Sequence, residues 1–356
     1  MGQSEFELEQ QLFSACSNGN VKEVQQLLNN TQININWQNH SEWKKTPFHI
    51  ACFYGRIEVV QLLLKDKRVD INIANNDCWA PFHFACWNGQ TEVVKLLLTD
   101  ERIDVNKANS DCWTPFLISC FYGRIEIVKL LLKDERVDVN KPGQYGWTPF
   151  YAACRKGHIE IVKLLLNDGR VDLNKTESKC GQSPFYLVCC FGYIEIVKLL
   201  LNERKVDVNK GENSGATPFF SACENGNIEV VKELLKCENI DINKVDKNEA
   251  SPFWIACSKG HIEIVESMLA CRREVILDVK NNKGKTAIDV AKEGEKEGKQ
   301  TWESEERFQR RKDNCTKIIE LLELYQKNPK ETRLKLRIQL GLASKNFISF
   351  LFFYFN

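Results

Sequence analysis

The chain has 356 residues, with 49 basic side chains against 48 acidic ones. That balance excludes a global electrostatic attraction to nucleic acid or to an anionic membrane surface. The longest wholly apolar run, residues 350–355, falls far short of the ~20 needed to span a bilayer, and the polar, acidic first ten residues are not a secretory signal peptide.

In chain order, residues 1–36 read as a short, atypical opening unit that keeps Ala15-Cys16, Gly19, Val24 and Leu27-Leu28. A phrase then recurs: Thr46-Pro47-Phe48, Ala80-Pro81-Phe82, Thr114-Pro115-Phe116, Thr148-Pro149-Phe150, Ser183-Pro184-Phe185, Thr217-Pro218-Phe219 and Ser251-Pro252-Phe253. Its steps are 34, 34, 34, 35, 34 and 34 residues. Such a period means a solenoid, in which each unit buries its apolar face against its neighbours. Residues 37–285 hold seven such units.

The unit from Asn106 to Asn140 shows the pattern. Thr114 caps a first helix and Pro115 fits its first position, where no N–H donor is needed. Phe116, Ile118, Ser119 and Cys120 follow at helical spacing, and Gly123 closes the helix. A second helix runs from about Ile125 to Lys133. Its apolar residues wrap most of its circumference, so it is sandwiched between others. Val137-Asp138-Val139-Asn140 is β-like and leads into a turn.

These residues resemble the ankyrin-repeat family. Thr46-Pro47-Phe48-His49-Ile50-Ala51 and Ala80-Pro81-Phe82-His83-Phe84-Ala85 match its T-P-L-H-x-A signature with phenylalanine for leucine. Gly157-His158-Ile159-Glu160-Ile161-Val162 and Val171-Asp172-Leu173-Asn174 are similar to its later phrases. The resemblance covers roughly residues 6–325. It implies an all-α ankyrin-repeat solenoid of helix-turn-helix units with short β-hairpin turns, and a protein-binding role for the concave face made by turns and first helices. It also assigns His49, His83, His158 and His261 to hydrogen bonds between repeats.

The far end departs from the pattern. Residues 286–325 read as a capping repeat whose first helix, Thr286-Ala287-Ile288-Asp289-Val290-Ala291, lacks proline. A charged insertion at 292–313, either a solvated helical extension or a mobile loop, delays its second helix, Ile318-Ile319-Glu320-Leu321-Leu322. Residues 326–356 are a basic, then apolar tail. It suits a membrane surface, a docking peptide, or an element folded back onto the last unit.

Eight of the 15 cysteines (Cys16, Cys52, Cys86, Cys120, Cys154, Cys189, Cys223, Cys257) share one repeat position. Helices pack 8–10 Å apart, beyond disulfide reach, so these read as small buried residues. The many free thiols suggest a reducing compartment. The recurring Asn36, Asn72, Asn106, Asn140, Asn174, Asn209 and Asn243 precede the turns, where asparagine commonly bonds turn backbone. Metal spacings, nucleotide loops and nucleophile–base arrangements are missing from the sequence.

The candidate binding residues are mainly aromatic. Trp79, Trp113 and Trp147 precede the recurrent phrase. Phe53, Tyr54, Trp87, Phe121, Tyr122, Arg155 and Phe191 sit just before the glycine ending the first helix, and Trp43 and Tyr145 lie in turns. Such rings are the usual anchors of interfaces. Equally, a residue recurring in register can be repeat packing. The reading is a monomeric, cytoplasmic, non-enzymatic adaptor or scaffold. It binds a protein or peptide, not nucleic acid, and uses no cofactor or metal. The alternatives are a membrane-tethered regulator located by its tail and a substrate-recruiting subunit of a modifying enzyme such as a ubiquitin ligase.

Overall fold

Each recurrent phrase starts a helix for the reason its residues suggest. The Thr114 hydroxyl accepts from the Leu117 N–H at 3.1 Å, Thr148 from Tyr151, Ser183 from Tyr186, Thr217 from Phe220 and Ser251 from Trp254. The proline takes the first helical position in all seven. The phenylalanine after it is buried every time, at 2% exposure or less. Burying one such ring is worth roughly 2–3 kcal/mol, so the phrase both starts the helix and anchors it.

The computed structural model describes residues 5–299, 301 and 303–343. The chain divides into two compact units, one ending at Lys179 and the other beginning at Cys180. In the first, α1 (Glu5–Asn18) and α2 (Val21–Leu28) form the opening pair. They are followed by α3 (Pro47–Phe53) with α4 (Ile57–Lys65), and α5 (Pro81–Asn88) with α6 (Thr91–Leu98). Next come α7 (Pro115–Phe121) with α8 (Ile125–Leu132), and α9 (Pro149–Lys156) with α10 (Ile159–Leu166). First helices pack in the order α1, α3, α5, α7, α9, and second helices in the order α2, α4, α6, α8, α10. Ile127, Val128 and Leu131 of α8 are fully buried in that sandwich. Gly123 ends α7 at φ +72°, and a Cβ there would sit 2.9 Å from the His158 ring, so only glycine fits.

The second unit continues with α11 (Pro184–Phe191) and α12 (Ile194–Leu201), α13 (Pro218–Glu224) and α14 (Ile228–Leu235), and α15 (Pro252–Ser258) and α16 (Ile262–Ala270). It closes with α17 (Ala287–Lys296), α18 (Glu305–Lys327) and α19 (Pro329–Gln339). The charged insertion resolves into the last residues of α17, a connection from 297 to 304 of which residues 297–299, 301, 303 and 304 are described, and the first turns of α18. Arg311 of α18 reaches back to the buried Glu303 at 3.1 Å and to the Gly294 carbonyl at 3.0 Å, so the insertion is a pinned helical extension. The basic part of the tail is α19, folded against α16 and α18. Arg333 donates to the Leu269 carbonyl at 3.2 Å and Arg337 to that of Ala270 at 3.0 Å. These two guanidinium groups satisfy orphan carbonyls at the end of α16 and do not face outward as a free cationic patch. The apolar run at 347–355 lies outside the described residues.

The β-like phrases differ from expectation. No strand occurs among the described residues, and one isolated bridge joins Asn39 to Lys45. Turns carry a hairpin rung, such as Asn75 N–H to the Trp79 carbonyl at 3.0 Å and Asn109 N–H to the Trp113 carbonyl at 3.1 Å. The Val-Asp-Val-Asn segments are turns because side chains make their cross-repeat bonds. Asn72 donates Nδ2 to the Arg102 carbonyl at 2.6 Å, while its Oδ1 accepts from Asp104 N–H at 2.9 Å. Asp104 Oδ1 then accepts from Asn106 N–H at 3.1 Å. The pattern begins at Asn36 and repeats through Asn106 and Asn140, and again at Asn209 and Asn243. The asparagines therefore tie one repeat to the next, beyond the local turn bonding expected of them. Beside this ladder, Arg68, Arg102, Arg136 and Arg170 each grip the aspartate two residues earlier. Each also reaches a carbonyl of the preceding second helix, Arg102 to Leu64 at 3.0 Å. The arginine hydrogen bonds hold those aspartate carboxyls below their ordinary range.

All 15 cysteines are free, and the eight in register are buried. Burial raises their thiols, Cys86 to about 12, which leaves them unreactive in the folded state.

Candidate functional site

The histidine expected to join repeats does so and also positions tryptophan. Thr46 N–H donates to His49 Nδ1 at 3.1 Å, which leaves Nε2–H to donate to the Trp79 carbonyl at 2.9 Å. His83 repeats this with Ala80 N–H and the Trp113 carbonyl, at 3.0 and 3.2 Å. Burial lowers both imidazoles to about 4, so they are neutral at pH 7. His158 and His261 donate to the Phe121 and Glu224 carbonyls, each at 3.0 Å. The amide of Trp79 is held in turn by Asn75 Oδ1 at 2.8 Å, and that of Trp113 by Asn109 Oδ1 at 2.8 Å. Each indole therefore projects from a backbone fixed on both sides.

In the first unit the rings form a continuous run. Tyr54 meets Phe53 at 4.9 Å between centroids, and Phe53 meets Trp87 at 6.1 Å. Trp87 joins Trp79 at 5.6 Å and Tyr122, in the next repeat, at 6.2 Å. Tyr122 continues to Phe121 at 5.1 Å, and Phe121 to Trp113 at 4.8 Å and Trp147 at 6.3 Å. Trp79, Trp87, Trp113, Trp147, Phe53 and Phe121 are half-buried, and Tyr54 and Tyr122 are exposed. The four tryptophans thus pack on their neighbours and still show an edge to solvent.

Trp43 and Tyr145 stand at equivalent turn positions. Both are exposed, at 62% and 54%, and both have left-handed backbone, φ 57° and 64°. A bulky residue there costs about 1 kcal/mol relative to glycine. The fold recovers little of this by burying the rings.

Cations lie on the run. Lys45 Nζ is 5.3 Å from the Phe53 ring and Lys156 Nζ 4.3 Å from that of Phe121. The Arg155 guanidinium is 4.8 Å from Trp147 and that of Arg56 5.6 Å from Tyr54. Lys45 was not singled out by the sequence, and Lys156 stood out only as the neighbour of Arg155 at the end of its first helix. The available signal for Lys45 was its register, since it precedes Thr46 as Trp79 precedes Ala80.

In the second unit, Phe191 is exposed and meets Tyr193 at 5.7 Å. The positions corresponding to Tyr122 become Asn225 and Lys259. A groove of about 740 Å³ lies on the other helix layer, between α12, α14, α16 and the end of α19. Its lysines Lys198, Lys232 and Lys236 are paired with glutamates at 2.7–3.0 Å, and Arg273 and Arg337, which also line it, donate to the Cys237 and Ala270 carbonyls. No group of three or more potential metal ligands occurs among the described residues. No described helix is long and apolar enough to cross a membrane.

Family models described as ankyrin repeats match residues 12–109, 82–177, 169–246 and 234–291. The chain belongs to the ankyrin-repeat family. Its members are generally protein–protein interaction modules, and the family is typically non-catalytic. No curated protein matches the chain.

Proposed function

We propose that this protein is a non-enzymatic, cytoplasmic adaptor or scaffold that binds a protein or peptide through the aromatic run of its first unit. The observation that carries the reading is the pair Trp43 and Tyr145, exposed rings held on unfavourable backbone. Local strain retained at an exposed anchor-type residue is characteristic of binding sites. Tyr54 and Tyr122 are the exposed rings of the run itself, and Trp79, Trp87, Trp113 and Trp147 are its half-buried ones. Fifteen free thiols support a reducing compartment.

The test is affinity capture from native lysate with the wild type and with a Trp43→Ala/Tyr54→Ala/Tyr122→Ala/Tyr145→Ala variant. All four side chains are exposed, so circular dichroism should be unchanged. Partners recovered by the wild type and lost by the variant support the reading. An identical set of partners on both proteins would refute it.

A further inference from the structure

One wall of the groove between α12, α14, α16 and α19 is made by the chain on its way out of α19. The helix stops in a Schellman turn. Gly341, at φ +67°, donates to the Ile338 carbonyl at 3.1 Å, and Leu342 N–H to that of Arg337 at 2.7 Å. Ala343 N–H reaches the Arg337 carbonyl at 3.2 Å, and the Arg337 guanidinium returns a bond to the Leu342 carbonyl at 2.7 Å. The exit is therefore fixed in direction. Leu340 and Leu342 line the groove there, opposite Ile194 of α12 and Leu235 of α14, and Leu342 is still 49% exposed. The lysines and two of the arginines of the lining are engaged with glutamates and carbonyls, as described above. Arg272 and Glu238 remain and are of opposite sign. What the lining offers an occupant is leucine, isoleucine and the aliphatic stems of paired lysines.

We infer that residues 347–355 dock into this groove of their own chain and cover the second-helix face of the last repeats. They read Phe-Ile-Ser-Phe-Leu-Phe-Phe-Tyr-Phe, without a charge, and an apolar run of this kind is stable in water only when covered. Residues 344–346 join them to the groove's lip, and extended chain covers roughly 13 Å in those steps. Three helices packed side by side span roughly 20 Å, so the segment reaches the whole groove. The volume of about 740 Å³ is of the size that encloses a compact organic group. It takes a few aromatic rings and is too small for a partner domain. The basic residues before the segment favour this site over a lipid surface. Arg333 and Arg337 lie on the carbonyls of α16, and Lys335 pairs with Glu331 at 2.7 Å. A segment held on a membrane draws on free cations beside it, and these three are engaged. The inference concerns the second unit alone and does not depend on the aromatic run.

The experiment is photo-crosslinking of the full chain with p-benzoylphenylalanine in place of Phe350 or of Phe353. Ordinary and nitrogen-15 protein are mixed in equal amounts, and the crosslinks are mapped by mass spectrometry. The inference expects them on residues 194–198, 229–238 or 267–273, within chains of a single isotope. Their yield should fall at least threefold in Leu342→Glu, which puts a charge on the apolar lip at a side chain already exposed, so that the fold is retained. Crosslinks joining the two isotopes would give the groove to a second copy and overturn the same-chain occupant. Crosslinks elsewhere, none at all, or a yield indifferent to Leu342→Glu would overturn docking in the groove. Flotation with phosphatidylserine vesicles that is lost on deleting residues 344–356 would assign the segment to a lipid surface and overturn it as well.

Discussion

His49 and His83 bridge one repeat to the backbone of the next only while neutral, because Nδ1 must accept. Their folded values, about 4, lie below the ordinary 6.5. The stability they contribute is therefore complete above pH 6.5 and is lost as pH falls toward 4. At pH 5 the loss should be about 2 kcal/mol each. Thermal melts between pH 7.5 and 5 should show it, and His49→Gln/His83→Gln should have a visibly flatter pH dependence. An equal slope in both proteins would remove the histidines from the account. A different residue-scale effect belongs to Cys78 and Cys112, exposed at turn tips with φ 59° and 60°. Replacing either with glycine should raise stability by about 1 kcal/mol in urea titration, because the backbone there already has the shape glycine prefers.

The asparagine ladder works between elements. Asn106 connects two repeats through Arg136 and Asp138. Asn106→Ala leaves both backbone groups to solvent and should cost about 1–2 kcal/mol. Faster exchange of the Asp138 amide, measured by hydrogen–deuterium exchange, is the local sign to look for; unchanged exchange would mean the bond is dispensable. At the end of the second unit, α19 has an analogous duty toward α16. Arg333→Ala/Arg337→Ala removes the partners of Leu269 and Ala270 and should speed exchange in the last turn of α16 while leaving α4 unaffected.

For the whole molecule, period and residue type were enough to read the repeats and the helix starts, and the histidine bridges came with the family resemblance. Each depends on a residue acting at fixed distance along the chain. The β-like segments misled because Val-Asp-Val-Asn alternates as a strand does, while its pairing is done by asparagine side chains 30–32 residues apart. The aromatic candidates were visible as residue types. Their continuity, and the cations over them, depended on contacts between repeats that spacing alone does not give. The sequence left the basic part of the tail open between a membrane surface, a docking peptide and an element folded back on the last unit; α19 is the last of these, with its arginines on the carbonyls of α16. Because each helix pair contacts mainly its neighbours, excising residues 107–140 should preserve the register, bringing Asn106 opposite Asp172. Circular dichroism per residue should stay within about 10% of the full chain; collapse of the signal would show that the repeats are not interchangeable.

The column of buried thiols gives every early repeat its own chemical timer. Cys16, Cys52, Cys86, Cys120 and Cys154 lie one to a helix pair and are sealed. A maleimide pulse on the native protein would first tag Cys78 and Cys112, then each sealed sulfur only when its own repeat opens. Peptide masses read after a series of pulses would convert the molecule's breathing into a repeat-by-repeat sequence of events. Cys16, in the terminal pair, should be tagged ahead of Cys86, which is enclosed on both sides.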